Sequence, residues 1–372
     1  MLLFLYTSVS LSLVYLIYKR RLTTTAITSF MIAVIIRLIV LVVFVHSMSD
    51  DLGTFIRDGH YFLEGKNQYE SSYFPFASYL SATVLFLQEY IQPAVFLKLV
   101  FLFFDSLIVF PISILSKRQS NNSLLYAVNP ITVIISVVHG QIDALPLFFF
   151  LLTIALIKDR KELLGVLIFS MAISIKTWPL LFVIPLIRRS RNLFLYLLLP
   201  LFPAVMLLIY SLFSPVLSGQ IMYKIISHKG IFGEWGYSKF IVFLLNHRPI
   251  PTIETVLSFL FLLFFVVFSL LRKDKDLLKN ILIIMLFFFV ATPTFGIQWF
   301  SWLVPFVLLV RPKQGRLFFL IAAVYLTVGF VWDADPYFRS IMPVWNSVIT
   351  RVGIITWFFM AIMFFYNLKG ER

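Results

Sequence analysis

The sequence predicts an all-α polytopic membrane protein with about 13 transmembrane helices, and three observations carry the fold class. Of its 372 residues 60% are hydrophobic and only 13% charged, with a mean hydropathy of +0.96, far more apolar than a soluble surface of this length tolerates. Apolar runs approaching the roughly 20 residues that a spanning helix needs recur from end to end. Short basic clusters separate these runs, at spacings that let every cluster sit on one side of a bilayer.

Those clusters are Lys19-Arg20-Arg21, Lys117-Arg118, Lys158/Arg160/Lys161, Arg188-Arg189/Arg191, Arg272-Lys273/Lys275/Lys279, Arg311/Lys313/Arg316 and Lys369/Arg372, and they hold most of the 31 Lys and Arg residues. The positive-inside rule assigns them to the cytoplasmic side. A net charge of +14, which in a soluble chain would suggest a polyanionic partner, is here a matter of placement. With no cysteine, disulfides, thiolate metal sites and a cysteine nucleophile are excluded. The first apolar run carries its positive charges after it, the reverse of a signal peptide, so a retained helix is expected.

Placing every cluster inside puts the N-terminus outside, followed by spans near 2–18 and 24–45 and an external loop over about 46–91. That loop is expected to be helical from Leu52 to Leu63, while Pro75 to Tyr90 reads either as a crossing or as an amphipathic helix on the outer surface. Spans near 92–116, 122–138 and 143–157 follow, then a pair of short helices near 162–175 and 178–187, bent at Lys176-Thr177-Trp178-Pro179, where Pro179 supplies the break. After a span near 192–213, a second external loop covers about 214–251. Spans near 252–271, 278–292, 299–311, 316–332 and 347–366 complete a single membrane domain over 1–372.

The remaining unusual polar residues gather on the outer side: Asp50 and Asp51, the stretch His139-Gly140-Gln141-Ile142-Asp143, Lys176, His228-Lys229, Glu234, Gln298 and Asp333. Ionisable groups at membrane depth are costly, so each is a functional candidate with a structural ion pair as the rival explanation. For Arg37 and Asp105, near the middle of their spans, the structural role is the expectation. Lys176, at a break between short helices, suits anion binding. His139 and Asp143 offer only two metal ligands, so hydrogen bonding to a polar substrate, or helix capping by Asp143, fits better. The two acids at 50 and 51 are either a solvated helix boundary with an N-cap or a site for a proton or cation. No phosphate loop, nucleophile elbow, His-Glu-x-x-His or dinucleotide fingerprint occurs.

Four stretches in order resemble one known layout. Asp51 and Phe55 precede Gly65-Lys66-Asn67-Gln68-Tyr69 and Tyr73-Phe74-Pro75; Asn129-Pro130 precedes His139 to Asp143; Lys176-Thr177-Trp178-Pro179 precedes Pro185; and Gln298-Trp299-Phe300 precedes Trp302 and Pro305. Over about residues 30 to 310 this resembles the GT-C superfamily of membrane glycosyltransferases, within it the polyprenol-phosphate-dependent mannosyltransferases. The chain departs from that pattern in lacking a proline before Tyr69 and in its extra first helix.

The resemblance implies transfer of a hexose, mannose favoured, from a polyprenyl- or dolichyl-phosphate donor to a glycolipid, glycan or protein acceptor. Transfer would occur with inversion on the extracytoplasmic face of the plasma membrane, or the lumenal face of an internal one. It implies Asp51 as general base with Asp50 as helper or bystander. Substrate contacts would come from His139, Gln141, Asp143, Lys176, His228, Lys229, Arg248, Gln298 and Trp299, with Lys176 as first choice to steady the leaving phosphate. No cofactor is required by this chemistry; a divalent cation on Asp50 and Asp51 is the one option it leaves open, and no nucleic-acid partner is expected. The rival classes are a transporter or lipid-linked-sugar flippase, and a non-catalytic assembly subunit.

Overall fold

The computed structural model describes residues 1–116, 121–227, 230–245, 251–334, 342 and 344–369. It is 77% helical. Among the described residues seven helices are long and apolar enough to cross a membrane: Leu2–Arg20, Ala26–Val43, Pro93–Leu115, Asn122–His139, Leu193–Phe213, Pro251–Leu271 and Ser347–Lys369. Shorter apolar helices, Ala144–Lys158, Glu162–Ile175, Trp178–Ile187, Leu277–Ala291, Ile297–Val310 and Gly315–Val331, lie where the remaining apolar runs were expected. The protein is thus all-α, with the helices of an integral membrane protein. Among the described residues the strands are one antiparallel pair, Ile231↔Phe295 and Phe232↔Thr294.

Two expectations resolve at the level of local structure. The segment after Pro75 forms a helix only over Phe76–Leu85. Ten residues rise about 15 Å, half the hydrocarbon thickness, so this helix does not cross. The break near Pro179 is present: the Glu162–Ile175 helix ends on Lys176, whose backbone is extended (φ −153, ψ 137), and the chain resumes as a 3-10 turn over Trp178–Phe182.

The chain divides into two compact units, one of Met1–Tyr15, Asn129–Ile131 and Lys229–Arg372, the other of Leu16–Val128 and Thr132–His228. The first has an aromatic core in which buried Trp235 stacks on Phe295 at 4.2 Å and donates its Nε1 hydrogen to the Phe289 carbonyl at 2.7 Å. Gly236 is required there, because its φ of +53 is left-handed and a Cβ would come within 2.4 Å of the Trp357 ring.

In the second unit Arg37 and Asp105 are buried and meet at 2.7 Å. Tyr126 Oη at 2.5 Å and Ser136 Oγ at 2.8 Å also donate to Asp105, while Arg37 donates to Thr132 Oγ1 at 3.1 Å and the Ala127 carbonyl at 3.0 Å. Such a fully partnered network is the form in which a buried ion pair is tolerated, and it locks four segments together.

The segment over 46–91 folds back onto the same unit as a helix pair. Gly59 of the Asp50–Leu63 helix lies against the Phe76–Leu85 helix so closely that a Cβ would meet Ser81 Cβ at 2.8 Å and the Ala82 nitrogen at 2.9 Å. Leu52, Phe55, Tyr73, Ala77, Val84, Leu97, Phe101, Ile142 and Ile175 form one apolar core beneath it.

Candidate functional site

The site begins at the N-terminus of the Asp50–Leu63 helix. Ser49 is the cap, its hydroxyl accepting from the Leu52 N–H at 3.2 Å, so neither aspartate is spent on capping. Both carboxylates lie in the first turn, where the helix dipole favours negative charge. Consecutive helical residues point about 100° apart. Asp50 accordingly faces solvent, while Asp51 is half-buried and turns inward.

Asp51 Oδ2 accepts from Gln141 Nε2 at 2.9 Å, and the same amide nitrogen lies 3.1 Å from His139 Nε2. The two hydrogens of one amide group serve both if the imidazole accepts at Nε2 and carries its proton on Nδ1. Gln141 is buried, and among the described residues its Oε1 has no hydrogen-bond partner. A buried, unmet acceptor beside an oriented carboxylate is suited to a ligand hydroxyl.

The backbone that presents these groups is irregular for sequence reasons. After Asn129-Pro130 the helix continues as a π-helical turn over Ile134–His139, then Gly140 reverses it at φ 74, ψ 50. A Cβ at Gly140 would approach Lys98 Cε at 3.1 Å and Leu52 at 3.3 Å, besides being strained by the left-handed φ. π-bulges of this kind are frequent at functional sites.

Beneath Gln141, Asp143 and Lys176 form an ion pair at 2.7 Å, with side chains only 1% and 5% exposed. Asp143 makes no capping hydrogen bond to the helix it precedes, which overturns the capping alternative: its carboxylate is turned to Lys176. The Lys176 ammonium also lies 4.6 Å from the centre of the Tyr73 ring, a cation–π distance, and Tyr73 packs on Phe55. Burial pushes the Tyr73 phenol up to about 12, against the pull of Lys176, so it remains a protonated donor at neutral pH.

Two residues that carry this site escape motif reasoning. Lys98 is buried and donates to the carbonyls of Phe44 and Ser47 and to Ser47 Oγ, while Ser47 Oγ donates to the Val138 carbonyl at 2.5 Å. Lys98 thus ties the segment leading into Asp51 to the Pro93–Leu107 helix, and Ser47 ties it in turn to the segment leading into His139. The one signal for it is a lone lysine five residues into an apolar run. Asp58 is fully buried and accepts from the backbone N–H groups of Glu70 at 2.7 Å and Ser71 at 2.8 Å, fixing the turn that delivers Tyr73. Asp51, Phe55 and Asp58 share one helix face at four- and three-residue spacing.

Next to that turn, a groove of about 730 Å³ is lined by Asn67, Gln68, Glu70, Gln220, Tyr223 and Lys224 among others. Gln298 and Trp299 belong to the other compact unit, on a 3-10 turn over Ile297–Trp299, where Trp299 stacks on Trp302 at 5.5 Å. His228, Lys229 and Arg248 lie outside the described residues, as does the side chain of Asp333. Among the described residues no group of three or more His, Asp or Glu side chains is arranged to hold a metal ion.

No family model, curated protein or solved structure matches this chain. A functional reading accordingly draws on the four-motif resemblance and on the chemistry of the constellation around Asp51.

Proposed function

We propose that the protein is an integral-membrane glycosyltransferase of GT-C type that transfers a hexose from a polyprenyl- or dolichyl-phosphate donor on the extracytoplasmic face. The observation that carries this reading is the half-exposed Asp51 carboxylate, oriented at 2.9 Å by a buried glutamine whose carbonyl oxygen is left open. The acceptor hydroxyl donates to Asp51 and attacks the anomeric carbon. Its proton passes to the carboxylate as the new C–O bond forms and the bond to the phosphate oxygen breaks. Gln141 Oε1 accepts from a neighbouring sugar hydroxyl, and the groove beside Glu70, mostly apolar but carrying Asn67, Gln68 and Gln220, has room for the rest of an acceptor.

Lys176 steadies the leaving phosphate with the ammonium hydrogens that Asp143 does not use, and Tyr73 adds a neutral donor. Because Asp143 already balances its charge, Lys176 acts as a fixed donor rather than as a free cation. Displacement in a single step gives inversion; a retaining route needs a second carboxylate as nucleophile, and Asp50 faces away.

Membranes containing the protein, supplied with radiolabelled polyprenyl-phosphate sugars, test this. Asp51→Asn is expected to lower transfer by ~10²–10⁴-fold at equal protein level. Near wild-type transfer by that variant overturns the base assignment. If no lipid-linked sugar is consumed while a solute moves across sealed vesicles, the transporter class replaces the enzyme.

A further inference from the structure

Among the described residues three non-glycine residues have left-handed backbone, and all three are arginines at the C-terminal end of a helix: Arg21 at φ 52, Arg160 at φ 63 and Arg311 at φ 54. At Arg160 the pattern is a complete Schellman motif, with the Lys161 N–H bonded to the Leu156 carbonyl at 2.9 Å and the Arg160 N–H to that of Ile157 at 3.1 Å. The end of the Asp50–Leu63 helix uses the same motif, Lys66 N–H to the Tyr61 carbonyl at 2.9 Å, but places Gly65 at the left-handed position. Glycine is the unstrained choice there. At Arg160 the chain accepts backbone strain and keeps a guanidinium instead, and strain of this kind marks a site under another demand.

That guanidinium borders a shallow, open surface cavity of about 530 Å³ lined by Arg160, Lys161, Glu162, Leu163, Leu164 and Arg191. Glu162 keeps its negative charge there and offsets part of the positive charge of Arg191, but its carboxylate is held by Ser190 Oγ at 2.8 Å and by the N–H groups of Arg191 and Asn192 rather than by either guanidinium. Those bonds pin the Arg191 segment to the start of the Glu162–Ile175 helix and hold the two arginines on one cavity. Lys161 is paired with Asp159 at 2.7 Å, whereas among the described residues neither Arg160 nor Arg191 forms a salt bridge. Leu163 and Leu164, one step along the helix, are about half exposed, at 52% and 48%.

We infer that this cavity is a binding site for the headgroup of an anionic phospholipid. Arg160 and Arg191 hold the phosphate, and the acyl chains lie along Leu163 and Leu164. The positive-inside rule explains why arginines gather at this end of the helices. It does not call for a cavity, for the Glu162 clamp, or for arginine where glycine fits best. The inference uses only the membrane character of the chain and is independent of glycosyl transfer.

Purified protein in nanodiscs of phosphatidylcholine, with and without phosphatidylglycerol, tests it by native mass spectrometry and thermal melting. Arg160→Gly is the informative change, since it removes the charge while relieving the backbone, so the fold is retained. Wild type is expected to retain phosphatidylglycerol over phosphatidylcholine and to melt higher with it. Arg160→Gly combined with Arg191→Gln should lower that retention about 30-fold and abolish the lipid-dependent rise, while melting no lower than wild type in phosphatidylcholine alone. Equal retention by wild type and the double variant overturns the site. So does a wild type with no preference between the lipids. An equal rise from inorganic phosphate or glycerol phosphate would make it a site for a soluble phosphate rather than a lipid.

Discussion

Replacing Asp105 by alanine removes one side chain and unsettles three others. The carboxylate, 3% exposed, receives Arg37 Nε at 2.7 Å, Ser136 Oγ at 2.8 Å and Tyr126 Oη at 2.5 Å. Leaving the fully buried Arg37 without its counter-ion costs roughly 3–5 kcal/mol. Each hydroxyl donor orphaned beside it adds on the order of 1 kcal/mol or more. The sum is roughly 5–7 kcal/mol, a large part of the 5–15 kcal/mol that holds a typical domain together. Arg37→Met with Asp105→Leu removes both charges and should recover more than half of that loss. Adding Tyr126→Phe and Ser136→Ala should recover most of the rest. Unfolding of detergent-solubilised protein, followed by tryptophan fluorescence against denaturant, supplies the free energies for the cycle. If Asp105→Ala costs less than about 1 kcal/mol, or if the double variant is merely the sum of the singles, the network does not hold these segments and the reasoning fails.

Asp58 makes stability depend on pH. Burial pushes its carboxyl from 3.8 up to about 6, outweighing the two backbone N–H groups that pull it down. Because the folded value is the higher one, its contribution to stability is present below about pH 3.8 and is lost as pH rises through about 6, amounting to ~3 kcal/mol between acid and neutral conditions. The melting difference between wild type and Asp58→Asn should follow that curve; a constant difference from pH 4 to 7 refutes it. Gly59→Ala should cost roughly 1–3 kcal/mol by forcing the two loop helices apart, since its Cβ would sit 2.8 Å from Ser81 Cβ; an unchanged melting temperature would mean the helices do not pack as described. Lys98→Met frees the segment before Asp51 from three donated hydrogen bonds. Turnover of lipid-linked sugar should fall by ~10-fold or more even where protein level is maintained, because small misplacements of a catalytic group cost that much; undiminished turnover denies Lys98 a positioning role.

The positions of the long apolar helices were legible in the sequence, and so was the break at Lys176-Thr177-Trp178-Pro179, because a proline and a run of apolar residues act locally; the helices Ser218–Ser227 and Gly236–Leu244, within the stretch read as a loop, were not. The site was legible in part. Asp51, His139, Gln141, Asp143 and Lys176 stood out as polar residues at helix ends, and the structure brings all five into one neighbourhood. Their pairing was not legible. Asp143 could equally have capped its own helix, and choosing Lys176 over the backbone takes a contact across 33 residues. Lys98 stands five residues into an apolar run, where a lysine can reach back to water, and only the packing around it shows that it turns to carbonyls instead.

The sequence by itself determined the membrane character, the helical class, the helix positions and the basic ends, since partition between water and lipid depends on composition summed along the chain. Only the tertiary structure decided which of two adjacent aspartates turns inward, that Arg37 meets Asp105 across 68 residues, and that Arg160 and Arg191 share a cavity. Those outcomes depend on which segments pack together, and a hydrogen bond or ion pair between distant residues has no cost or benefit until they do.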